Sequence, residues 1–301
     1  MPPWLLLSAP IVVGVCVMVE RQARPPGGAC TCALGCSDSR CSERWGARDR
    51  FDLRCVGALA IGGLLVVAST LLAPGIEGMQ RWHELGPLRV HPSALLAPAL
   101  LMFAAGSVTH RGAAHGFLLA LQALHLGQPD AGQATALGCG APSLLLTDAH
   151  QRAKLPPAAL YVLSIAVCWL RPDPLPPAAF VEDIASQAFA LGTFAGLAAL
   201  LSLGLLLVSP VVGERAERCR PATIALFGYF AGSLIAPILG EFPVPLLGFG
   251  TSPVVGAFLG VAALTRLRSA APDGAREAKA HSERSRSDED RHVCQEVAPA
   301  Q

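Results

Sequence analysis

The chain has 301 residues, is 52% hydrophobic and only 15% charged, and carries a net charge of +1 with a mean hydropathy of +0.47. A soluble globular domain carries about 25% charge. The composition therefore points to a helical integral membrane protein, and the near-neutral balance excludes a basic field for nucleic acid.

Charge-free apolar runs lie near 4–19, 56–76, 93–109, 116–127, 131–147, 155–170, 184–209, 221–240 and 243–265. They predict an all-α fold, a polytopic transmembrane helix bundle of about 8–10 segments. Several runs are shorter than the ~20 residues of a full span. The pair 116–127 and 131–147, interrupted by "GQPDAG", reads as two short helices meeting inside the membrane. The run 243–265 opens with Pro243, Pro245, Gly248, Gly250, Ser252 and Pro253, residues that break helices rather than build them. Short re-entrant or broken helices are thus part of the expected bundle. Residues 1–55 read as an N-terminal segment plus a Cys- and Arg-rich cytoplasmic loop, 56–268 as the transmembrane core, and 269–301 as a disordered cytoplasmic tail, too charged and apolar-poor to fold. Cys30, Cys32, Cys36 and Cys41 cluster in the first loop, but their spacings fit no common zinc template and no histidine lies near.

Basic residues concentrate in loops 20–55, 110–115, 148–154 and 214–220 and in the tail, whereas the opposite loops hold only Arg81, Arg89 and Arg171. By the positive-inside rule the tail is cytoplasmic and Met1 lies outside. The outer side then holds 78–93, 128–132, 171–183 and 241–252, four irregular stretches. Irregular backbone at membrane depth is tolerated where it is buried in protein or lines a cavity, so the four could share one outward-facing cavity or be four ordinary loops.

These stretches resemble motifs of one family. "QRWHELGPLRVHPS" (80–93) is similar to G-x-R-R-W-I-x-L-G-P-x-R-x-Q-P-S-E-x-x-K, "QPDAGQA" (128–134) to Q-P-D-L-G-T-A, and "PVPLLGFGTSP" (243–253) to P-L-P-F-V-S-Y-G-G-S-S. The family is that of the SEDS proteins of bacterial wall growth, represented by FtsW, RodA and SpoVE. The resemblance spans about 50–268 and implies a multi-pass protein of the bacterial inner membrane. It implies a glycosyltransferase that polymerises lipid II into peptidoglycan, with a class B penicillin-binding protein as transpeptidase partner. The chain departs from the family at Ala94 and Ala97, where the family has Glu and Lys, and in the short loop 171–183. A non-catalytic precursor-binding or scaffold protein is therefore a second expectation, and a lipid transporter a third.

Glycosyl transfer from a polyprenyl diphosphate needs a base, cationic groups for the diphosphate and a groove for the lipid. The resemblance aligns the family's presumed catalytic aspartate with Glu182 or Asp183. Either residue is a candidate base, or a helix cap before the run 184–209. Arg81 and Arg171 are candidates for the diphosphate, since guanidinium binds such anions bidentately. Asp130, Gly248, Gly250 and Ser252 complete the expected substrate site, Asp130 with an alternative role as partner of freed backbone amides. Glu84 reads as the ion-pair partner of Arg81. No protein metal site is expected, and the cofactor is left open to a divalent cation accompanying the diphosphate. An impermeant thiol reagent on intact cells should leave Cys294 unlabelled; labelling would reverse the orientation.

Overall fold

A computed structural model describes residues 53–86, 88–107, 111–145, 155–171, 173, 175, 184–212, 219–240, 242–247 and 250–270. Nine α-helices carry this part of the chain: α1 (Leu53–Ser69), α2 (Pro92–Gly106), α3 (Arg111–Gly127), α4 (Ala131–Gly140), α5 (Leu155–Trp169), α6 (Ile184–Leu191), α7 (Thr193–Val208), α8 (Arg220–Leu239) and α9 (Thr251–Ala270). Short 3-10 turns extend α1 through Thr70–Leu72 and α4 through Ala141–Leu144. The one sheet among the described residues is an antiparallel hairpin, β1 (His83–Leu85) with β2 (Leu88–Val90), turned at Gly86. Among the described residues one helix, α8, is long and apolar enough to cross a membrane. Helices α2 and α7 and most of α1 and α5 are apolar but shorter.

Three runs fold differently from their simplest reading. The run 184–209 is two helices, because Gly192 adopts φ +151, a conformation closed to side chains. The run 116–127 begins earlier, at Arg111, so α3 reaches 17 residues. The last run becomes helical only at Thr251, beyond its prolines, and continues to Ala270.

The core lies where α2, α3, α4, α8 and α9 meet, around Leu101, Met102, Leu121, Leu137, Leu226, Tyr229, Phe230 and Leu264. Two helix pairs are in backbone contact, and glycine makes each possible. Between α4 and α8, a Cβ on Gly228 would lie 2.6 Å from the Cys139 carbonyl oxygen. One on Gly232 would lie 2.7 Å from that of Thr135. Between α2 and α9, a Cβ on Gly256 would collide with the Ala94 carbonyl, and one on Gly260 would lie 2.7 Å from the Pro98 side chain. The G-x-x-x-G spacings at 228/232 and 256/260 are therefore the seams of two close pairs.

Overpacking such a seam costs about 1–3 kcal/mol or more. Gly232→Leu should lower the thermal midpoint in detergent, whereas Gly204→Ala on α7, with open space at its Cβ, should leave it unchanged or raised. Equal loss in both would show that the α4–α8 seam is not tight.

Candidate functional site: a cleft beside a buried polar turn

The turn between α3 and α4, Gln128-Pro129-Asp130, is buried and hydrogen-bonded to almost every element around it. The Gln128 amide is fully buried. Its Nε2 donates to the Val67 carbonyl at 3.0 Å and to Thr70 Oγ1 at 2.6 Å, and its Oε1 accepts from Ser93 Oγ at 3.1 Å. The turn's carbonyls face Arg81. Nε of that residue donates to the Gln128 oxygen at 3.4 Å and Nη2 to the Pro129 oxygen.

Asp130 caps α4, with Oδ1 accepting from the Gln133 amide at 3.0 Å. Its Oδ2 lies 3.0 Å from His91 Nε2. His91 in turn caps α2, its Nδ1 accepting from the Ala94 amide at 3.3 Å, which leaves Nε2 to carry the proton facing the carboxylate. The His91 backbone N–H donates to Ser252 Oγ at 2.9 Å, at the start of α9. Burial opposes the charge on Asp130. The hydrogen bond and charge of His91, with Arg81 and His125, outweigh it and hold the carboxyl well below the usual carboxylate range. His125 is itself fully buried on α3, and neither ring nitrogen has a hydrogen-bond partner.

Beside this turn opens a half-open cleft of about 260 Å³, lined by Arg81, Pro129, Ala131, Trp169, Arg171, Asp173, Gly240 and Phe242. The Arg81 guanidinium forms an ion pair with Asp173 at 2.7 Å and lies 5.8 Å from the ring centroids of Trp82 and Phe242. Arg171 is exposed and donates to the Leu126 carbonyl at 2.7 Å. Trp169 packs edge-on to Phe242 with centroids 5.3 Å apart, and its Nε1 donates to Thr135 Oγ1 at 2.9 Å. Two guanidinium groups thus stand over an aromatic wall, a setting suited to an anion carried on an apolar body.

The residues named from sequence distribute unevenly. Arg81 and Arg171 share the cleft, while Asp130 lies directly behind it as a cap and ion-pair partner. Ser252 is buried and receives the His91 amide, and Gly250 immediately precedes α9. Gly248, Glu182 and Asp183 fall outside the described residues, as do 1–52 with the cysteine cluster and the tail from 271. The pairing expected of Glu84 is corrected. Directly opposite Arg89 across the hairpin, it binds that residue at 3.3 Å, and Arg81 takes Asp173 instead. The pleat decides this, since cross-strand neighbours meet on one face. Sequence reasoning overlooked Asp173, His91, Gln128 and Phe242 as site residues. "RPDP" at 171–174 did offer a signal, a carboxylate two positions from an outer arginine.

No family model matches the chain, and no curated protein matches it.

Removing one partner of a buried ion pair costs about 3–5 kcal/mol, and losing a cap about 1 kcal/mol. Asp130→Asn, which keeps an acceptor for the cap, should therefore destabilise less than Asp130→Ala, both measured by thermal melts in detergent. Because the folded carboxyl titrates below its unfolded value of about 3.9, its stabilisation is complete above that pH and is lost as pH falls beneath it. The Asn variant should lack this acid-sensitive component; equal acid sensitivity would place the charge elsewhere.

Proposed function

We propose that the chain is a divergent SEDS-type protein of the bacterial inner membrane, crossing it several times. It takes lipid-linked peptidoglycan precursor at the Arg81–Arg171 cleft and polymerises it as a glycosyltransferase beside a class B penicillin-binding protein. One observation carries this reading. The four stretches that hold its motifs, distant in sequence, each contribute to one cleft: Arg81, Pro129 with Ala131, Arg171 with Asp173, and Phe242. A diphosphate would lie between the two guanidinium groups, and the Trp169–Phe242 wall would receive the first isoprene units of the lipid. Glu182 or Asp183, immediately before α6, would act as base.

A second reading is a precursor-binding protein without polymerase activity, and one observation favours it. Ala94 and Ala97, at the family's Glu and Lys positions, are buried at 4% and 0% exposure against α9, with Gly256 on the Ala94 carbonyl. Charged side chains would not fit there without parting α2 from α9.

The deciding experiment incubates purified protein with lipid II, with and without the cognate transpeptidase. Glycan strands are the expected product. Asp183→Asn should then reduce the rate 10²–10⁴-fold, about the worth of a general base, with Glu182→Gln milder. If the wild type polymerises and both amide variants keep full rate, the base lies elsewhere. If the wild type binds lipid II through Arg81 but never polymerises it, the second reading stands.

A further inference from the structure

Arg81 offers its donors to three acceptors, and they differ in kind. Two are backbone carbonyls, of Gln128 and Pro129, fixed within the turn. The third is the Asp173 carboxylate, whose Oδ2 accepts from Nη1 at 2.7 Å. The Arg81 side chain is 6% exposed and that of Asp173 24%. Asp173 approaches from the open side of the cleft, beyond the end of α5, and its other oxygen accepts only from the Leu175 amide two residues on. An anion entering the cleft thus finds the buried guanidinium already neutralised, and the carboxylate that does so stands where the anion would bind.

We propose that Asp173 is an internal counter-anion of the cleft, displaced from Arg81 when a phosphoanion binds, so that it sets the charge a ligand must carry. The proposal rests on the reading of the cleft as a diphosphate site. A ligand of a single charge gains little by exchanging with a carboxylate already in place. A diphosphate brings more charge and more acceptor oxygens, and it can also engage Arg171, whose exposed guanidinium lines the same cleft. The exchange therefore favours diphosphates over weakly charged anions, which is selectivity through competition rather than through added contacts. Displacement leaves neither group stranded. Arg81 keeps its carbonyl partners and gains the ligand, and Asp173 moves toward solvent while holding its local turn.

The test measures binding of farnesyl diphosphate and of inorganic pyrophosphate to full-length protein in detergent. Wild type, Asp173→Asn, Asp173→Ser and Arg81→Gln are compared, with thermal melts to confirm folding. Asn and Ser both keep an acceptor for the Leu175 amide and remove the charge, so either serves if the other folds poorly. Both are expected to bind the probes on the order of 5- to 50-fold more tightly than wild type, the usual size of coupling between two linked events, while Arg81→Gln binds neither. Tighter binding of farnesyl diphosphate than of pyrophosphate assigns the site to lipid-borne phosphoanions; equal binding assigns it to free ones, with the gain on removing Asp173 expected in both. Arg81-dependent binding that is unchanged or weaker in folded Asp173 variants overturns the counter-anion and leaves the cleft reading intact. Absence of Arg81-dependent binding in every protein overturns both.

Discussion

The turn Gln128-Pro129-Asp130 is the constraint on which the described architecture depends. A turn between two short helices exposes backbone carbonyls and amides that must find partners when buried. Here the partners come from elsewhere in the chain: Arg81 from the hairpin base, Val67 and Thr70 from the end of α1, Ser93 and His91 from the start of α2. Satisfying one turn thus ties distant segments together. Three helix N-termini also gather here, those of α2, α4 and α9, through His91, Asp130 and Ser252. Their dipoles present positive ends to one place. A buried carboxylate at that point is the expected counterweight, which is why Asp130 stays ionised in so dry a setting.

The same arrangement explains why the cleft is polar on one side and apolar on the other. Arg81 is held from behind by the turn and shielded by Trp82 and Phe242. Phe242 is placed by the proline-bounded stretch that follows α8. That stretch packs Val244 and Leu247 against α6 and α7 and holds Leu246 at φ +63 while buried. A bulky residue in that region of backbone space is strained, and strain of this kind persists only where surrounding packing fixes it. The stretch before α9 is therefore a built wall rather than a slack connection.

Much of this was legible in the sequence, for identifiable reasons. Apolar runs bounded by charge place α2, α5 and α8 to within a few residues, because burial and helix length leave few alternatives. The prolines and glycines of 243–253 mark where α9 cannot yet begin. Asp130 could be read as a backbone partner because a carboxylate between two apolar runs has few other fates. What escaped were features set by three-dimensional proximity. The split of 184–209 turns on a single glycine's dihedral angle, and apolarity does not record it. Arg81 lies 92 positions from Asp173, and nothing local distinguishes that partner from the nearer Glu84. The hairpin that assigns Glu84 to Arg89 depends on strand register, which hydrophobic spacing in six short-strand residues does not specify.

The glycine seams carry a mechanical consequence. Helices whose backbones touch cannot slide or rotate against each other without collision, so α4 with α8, and α2 with α9, each behave as one stiff beam. Ala131 opens the first beam and Gly240 closes it, and both line the cleft. One jaw of the cleft is therefore rigid along its length. Any widening must come from the opposite jaw, where Arg171 and Asp173 follow the free end of α5. The protein's capacity to change shape is thus confined to the loop that carries its exposed charges.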